Sequence, residues 1–207
     1  MWHILEMRHN GKDLIMKTLK TVIILGFSTI FLFGALYPLA MVGIGKLIGS
    51  AAEGKPIFKN GQLIGFELIG QPFTSERYFW GRPSAVNYDA ASTGGSNLSP
   101  TNSDYLAEVQ NRMDTILKYH SYLNKKDIPI DWVTASGGGL DPHISKQTAL
   151  LQTQRIAKAR NLSEDAVREL IDQHNAAAWL RFFGPKDYVN VLKLNIALDE
   201  LQNGTKQ

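Results

Sequence analysis

The sequence predicts an α+β protein, with a single N-terminal transmembrane helix followed by one extracytoplasmic α+β domain. Three observations support this. Residues 21–45 run without a charge between Lys20 and Lys46. Asn60-Gly61 separates two apolar runs, Ile57-Phe58 and residues 63–69, which is a strong short-range hairpin signal. From Leu106 onward, apolar residues recur at helical spacing.

The uncharged run spans 25 residues. At about 1.5 Å per residue it would reach roughly 37 Å as a helix, more than the ~30 Å hydrocarbon core. A cleaved signal peptide is the competing reading, and the small residues Gly49-Ser50-Ala51-Ala52 could offer a cleavage site. Its length favours an anchor, because signal cores usually hold about 7–15 apolar residues. Within the span Gly34 and Pro38 share a face, and small residues let a second helix approach closely. The domain reading is therefore a cytoplasmic tail at 1–20, a transmembrane helix at 21–45 and an external domain at 46–207.

Orientation follows from charge. The tail carries four basic side chains (Arg8, Lys12, Lys17, Lys20) against two acidic ones (Glu6, Asp13), while residues 46–207 carry 18 against 17. The positive-inside rule places the N-terminus in the cytoplasm and the bulk of the chain outside. Met7 and Met16 are alternative starts, and nothing in residues 1–15 suggests structure.

Beyond the hairpin, residues 77–102 lack periodicity but carry Tyr78, Phe79, Trp80 and Tyr88, as expected for a loop packed on the domain or on a partner. Leu106, Val109, Met113, Ile116 and Leu117 predict a helix over about 104–121, with Asn102 or Ser103 as cap. Residues 131–134 read as a short strand. Asp141-Pro142 reads as the start of a helix running to about Arg160. Ser163, followed by Glu164 and Asp165, caps a further helix. Residues 188–192 read as a strand and 194–201 as a closing turn or short helix.

Composition excludes several classes. The absence of cysteine rules out disulfides, thiolate catalysis and Cys-based metal sites. The sequence pI of about 9.0 owes most of its excess charge to the N-terminal tail, so a nucleic-acid partner is not expected. His120, His143 and His174 are scattered without metal-ligand spacing, and no metal is expected. Gly137-Gly138-Gly139 matches no phosphate-loop pattern and reads as a structural turn. Ser136, Asp141 and His143 invite a serine-hydrolase reading, but the nucleophile elbow G-x-S-x-G lacks its first glycine. A membrane-anchored external hydrolase using Ser136 and His143 stays as the alternative function.

Five stretches then carry a resemblance: RYFWGRPSAVNYD from Arg77, GGSNLSPTN from Gly94, VTASGGGLDPHIS from Val133, QTQRIAKAR from Gln152 and VNVLKLNIALD from Val189. In order and spacing, behind a single span, they resemble the KdpC family, the C subunit of the bacterial KdpFABC potassium pump. The resemblance implies a non-catalytic accessory subunit of an ATP-driven K⁺ importer in the bacterial inner (plasma) membrane. Its partners would be a channel-like A subunit that carries K⁺, a P-type ATPase B subunit and a small F subunit. It further implies a catalytic chaperone that raises the B subunit's affinity for ATP, with Gln152, Gln154 and Arg155 at the nucleotide-related stretch. With the domain outside, ATP is on the other side of the membrane, so indirect action is expected, with no catalytic residue and no bound cofactor in this chain. Arg77, Tyr78, Trp80 and Arg82, together with Gly34 and Pro38, are the candidate partner surfaces. Two departures from the family stand out: Gly138, where Ser is common, and the aromatic-rich segment at 176–188.

Overall fold

A computed structural model describes the backbone of residues 2–49, 53–175 and 187–204, and the side chains among them from residue 14 on, except at 203. The aromatic-rich departure at 176–188 lies almost wholly outside the described residues, as does most of the small-residue stretch after Gly49. Two compact units, Met1–Glu53 and Gly54–Gln207, are described separately.

The first unit is helical. Helix α1 covers Trp2–Phe31, a π-helical turn covers Leu32–Leu36, and α2 covers Tyr37–Ile48. Residues Leu14–Ile48 form a 35-residue stretch long and apolar enough to cross a membrane. The absence of structure expected for residues 1–15 is corrected, since the backbone is helical from Trp2. Extending an existing helix adds one hydrogen bond for each residue fixed, so no separate nucleus is needed there. The π turn has a local cause in Pro38. Proline has no N–H for the carbonyl of Gly34, and the Tyr37 N–H reaches back to the Leu32 carbonyl, widening the turn by one residue.

The second unit opens with the predicted hairpin, β1 (Pro56–Lys59) paired antiparallel with β2 (Gln62–Phe66). Asn60 and Gly61 both have positive φ, the backbone that a two-residue turn matching strand twist demands. A second antiparallel pair joins β3 (His143–Ser145) to β4 (Tyr188–Asn190), with Ile144 opposite Val189. Around this pair pack α5 (Lys146–Leu151), α6 (Thr153–Arg160), α7 (Glu164–Gln173) and α8 (Val191–Gly204). Their shared core holds Phe79, Ile144, Ile156, Val167, Ile171, Val189, Leu194 and Leu198. A smaller core beneath α3 (Ser103–Tyr119) and the short α4 (Ile130–Val133) is built on Ile116, Trp132 and Val133.

Several predicted caps are present. The Asn102 side chain accepts from the N–H groups of Asp104 and Tyr105, and Ser163 accepts from that of Ala166. Other local readings are corrected. Residues 130–133 form a helical turn rather than a strand, and the Asp131 carboxylate accepts from Ser145 N at 2.8 Å and Thr148 Oγ1 at 3.0 Å. Asp141 caps no helix, because its carboxylate accepts from Arg82 at 3.0 Å and from the His143 N–H at 3.0 Å. His143 thus begins a strand, and Ser145 caps α5 by accepting from Thr148 N. The single helix expected to Arg160 is broken at Gln152 into α5 and α6. The strand expected over 188–192 stops at Asn190, whose side chain accepts from Lys193 N as α8 begins.

The glycine run splits into two tolerant positions and one strict one. A Cβ at Gly137 or Gly138 would meet open space, whereas one at Gly139, with φ +71°, would lie 2.5 Å from Val86 Cγ2 and 2.9 Å from the Gly94 carbonyl. Gly138→Ser is therefore expected to leave the thermal midpoint unchanged. Gly139→Ala should cost about 2 kcal/mol or more from backbone strain and overpacking together. Equal midpoints for the two variants would contradict this account of the loop.

Candidate functional site

The resemblance points to Gln152, Gln154 and Arg155, and the structure places two of these three inside the domain. Gln152 occupies the break between α5 and α6 and is fully buried; Arg155, one turn further on, is 5 % exposed. Gln154, on the opposite face of the helix, is exposed.

A buried guanidinium needs acceptors for its donors, since an unpaired charge away from water is very costly. Arg155 Nε donates to His120 Nε2 at 2.9 Å, and Nη2 donates to the Tyr78 carbonyl at 2.9 Å and to Gln152 Oε1 at 2.8 Å. Nη1 donates to the Glu76 carbonyl. The planar group also lies over the Trp80 ring, 4.3 Å from its centroid. Burial lowers the Arg155 pKa to about 10, so the side chain stays charged at neutral pH.

Gln152 completes the arrangement. Its Oε1 also accepts from Trp80 N at 2.8 Å, and its Nε2 donates to the Trp80 carbonyl at 3.1 Å. Asn195, on α8, grips the neighbouring residue in the same way, accepting from Phe79 N at 2.8 Å and donating to its carbonyl at 3.1 Å. Two side-chain amides thus stand in for a neighbouring strand along 79–80. Arg160 extends the grip, donating to the Arg77 carbonyl at 2.6 Å and pairing with Asp199 at 2.8 Å.

The candidate partner residues of this segment all make contacts within the domain. Arg77 donates to the Ala159 carbonyl and to Gln202, and Tyr78 donates to Asp199 at 3.2 Å. Trp80 Nε1 donates to the Ser75 carbonyl, and Arg82 pairs with Asp141 at 3.0 Å. On the outer side of the network a groove of about 470 Å³ is lined by Glu76, Tyr119, Tyr122, Gln154, Arg155 and Lys158. In the first unit, Gly34 sits in the π turn with only Ile30 Cγ2 near an added Cβ, at 3.9 Å, and Pro38 is the second residue of α2.

His120 is a member of this network that the sequence did not expose. It is completely buried at the end of α3, where Nδ1 contacts the Ile116 carbonyl at 2.8 Å. That contact fixes the tautomer, because the ring must donate there to present an Nε2 lone pair to Arg155. Trp80, Tyr122 and Trp132 surround the ring edge-on. Its only sequence signal is its place after an amphipathic helix. The other two histidines serve local structure: His174 Nδ1 meets the Leu170 carbonyl at 2.9 Å, and His143 lies beside Asp141 at 3.3 Å. Ser136 is buried and accepts from the Asp141 N–H at 3.5 Å; no hydrogen bond among the described residues joins it to His143. Among the described residues no three His, Asp or Glu side chains converge as a metal site.

The fold and site define a class: an α+β domain whose buried polar side chains hold its own backbone, in a chain with one candidate membrane span among the described residues. The family model for the c chain of K⁺-transporting ATPases matches residues 19–200, and the chain belongs to this KdpC family. It is 51 % identical over 187 residues to the potassium-transporting ATPase KdpC subunit of Flavobacterium johnsoniae, covering 90 % of this chain and all of that one. The same-named subunit of Flavobacterium psychrophilum is 47 % identical over 187 residues, with the same coverage. That of Bacteroides fragilis is 45 % identical over 192 residues, covering 91 % of this chain and 98 % of its own. The hydrolase alternative is not favoured.

Burial, with the Arg155 charge beside it, lowers the His120 pKa from 6.5 to about 4. The unfolded chain therefore takes up this proton at higher pH than the folded one. The stability contributed by neutral His120 is present above pH 6.5 and is lost as pH falls toward 4. The thermal midpoint should fall through that window, and His120→Gln, which keeps an acceptor for Arg155 but does not titrate, should flatten the fall. An unchanged slope in the variant would remove His120 as the cause.

Proposed function

We propose that this chain is a non-catalytic accessory subunit of a high-affinity, ATP-driven K⁺ uptake pump. Its partners are the channel-like A subunit, which carries K⁺, the P-type ATPase B subunit and the small F subunit. It is a single-pass protein of the bacterial inner membrane with its N-terminus in the cytoplasm and its α+β domain outside. Family membership over residues 19–200 supports the pump assignment, and the charge excess of the N-terminal tail supports the orientation.

Within the pump the subunit acts as a catalytic chaperone, raising the B subunit's affinity for ATP indirectly. The observation that carries this reading is the inward aim of Gln152 and Arg155, which hold the 76–80 backbone. They shape the surface that the domain offers to the pump, and the span transmits that interaction. Gly34 and Pro38 form the docking face of the span; the surroundings of Gly34 are open, so a larger residue there is felt by a partner helix before it is felt by its own.

Steady-state ATPase kinetics of the whole complex separate the two routes. Indirect action predicts that Gln152→Ala raises KM for ATP by about fivefold or more, whereas exposed Gln154→Ala leaves it unchanged. The reverse pattern would favour direct nucleotide contact. Gly34→Leu should reduce co-purification with the A and B subunits, and undiminished assembly would reduce the span to a tether.

Topology has its own test. The chain has no native cysteine, so a Lys126→Cys variant at an exposed position should react with a membrane-impermeant thiol reagent in intact cells. Protection until lysis would overturn the external assignment.

A further inference from the structure

The β1–β2 hairpin leaves an apolar pair uncovered. Phe58 and Leu63 are directly opposed across the two strands, and they are 60 % and 50 % exposed. Lys59 follows Phe58 and leads into the Asn60-Gly61 turn. A cross-strand aromatic–aliphatic pair of this kind ordinarily stabilises a sheet by facing a core. Here neither residue belongs to either core cluster of the domain.

The base of the hairpin, by contrast, is tied down. Glu67, just after β2, pairs with Lys55 at 3.5 Å and with Lys193 of α8 at 2.8 Å, and its carbonyl accepts from Asn190 at 2.6 Å. Those charges together hold the Glu67 carboxyl below its usual pKa. The hairpin is thus a rigid extension of the domain with its apolar pair toward the free end.

We infer that Phe58 and Leu63, with Lys59 beside them, form an interfacial anchor that rests in the lipid headgroup layer. Chain length keeps the hairpin within reach of a membrane that the span would cross. Seven residues, 49–55, separate the last residue of α2 from the first of β1. At about 3.5 Å each they allow no more than roughly 25 Å of chain. The chemistry also fits a bilayer surface: an aromatic and a leucine enter the boundary of the acyl chains, and a lysine stem snorkels to anionic headgroups. Such an anchor would restrain the domain's rotation about its short connection. The inference rests on residues 14–48 spanning a bilayer, and the test below separates failure of that reading from failure of the anchor.

The absence of native cysteine allows single-cysteine labelling of the full chain with an environment-sensitive fluorophore. Leu63→Cys reports on the hairpin, Leu39→Cys on the span, and Ile130→Cys, at a residue 76 % exposed and remote in sequence, on solvent. Each labelled protein is reconstituted into vesicles of phosphatidylcholine and phosphatidylglycerol, with and without lipids brominated near the top of the acyl chain or near its end. The label at 63 should be quenched about twofold by the shallow bromines, as interfacial insertion requires, while that at 130 is not. The Lys59→Glu variant should weaken this quenching, and Phe58→Asp should abolish it.

Lack of quenching at 39 by either lipid would overturn the spanning reading, and the anchor with it. Quenching at 39 without quenching at 63 would overturn the anchor alone. Quenching at 63 that survives Phe58→Asp would belong to the probe and also overturn it. A label at 63 that is unquenched in vesicles, yet shielded from aqueous iodide in the reconstituted pump, would put a protein partner on the patch instead.

Discussion

Much of this domain depends on a single buried cation. Taking the Arg155 guanidinium out of water removes its hydration, and the protein must supply an acceptor wherever a donor points. It does so with two main-chain carbonyls, an amide oxygen and an imidazole nitrogen, drawn from segments between residues 76 and 152. Two of these groups are themselves held in place, the Gln152 amide by the Trp80 backbone and the His120 ring by the Ile116 carbonyl. Removing any one leaves a buried charge short of an acceptor, which is why the segment around Phe79 keeps one conformation without belonging to a sheet.

The amide pair Gln152 and Asn195 explains how an irregular loop can cross a protein interior. A backbone buried there needs partners for its N–H and C=O groups, and strands normally find them in a neighbouring strand. At residues 79 and 80 the partners are side chains. Phe79 can then be completely buried and join the main core to the loop. A subunit whose loops are pinned in this way presents a constant surface to its partners, which suits a role in an assembly better than one that needs a moving lid.

Two surfaces, one bordering this network and one apart from it, have different characters. The groove bordered by Gln154 and Lys158 is lined by charged and hydroxyl-bearing side chains, among them Glu76, Tyr119, Tyr122 and Lys158. The hairpin face of Phe58 and Leu63 is apolar and sits at the end of a short connection to the span. The first is suited to hydrogen-bonding partners and the second to a lipid surface.

What the sequence alone determined is what depends on neighbours along the chain. The uncharged run, the Asn60-Gly61 turn and the caps at Asn102 and Ser163 each act over a few residues, so their residue types suffice to read them. The five family stretches were equally legible, as ordered text rather than as geometry. Residues 131–134 and the Asp141-Pro142 start were misread for the opposite reason. Residues 131–134 look like a strand and Asp141 like a local cap, but Ser145, Thr148 and Arg82 claim the two carboxylates through the fold. His120 shows the limit most clearly. In the sequence it is one of three scattered histidines beyond the N-terminal tail, and only the tertiary structure brings it 35 residues forward to meet Arg155, because a buried guanidinium draws its acceptors from wherever the chain passes, not from its neighbours in sequence.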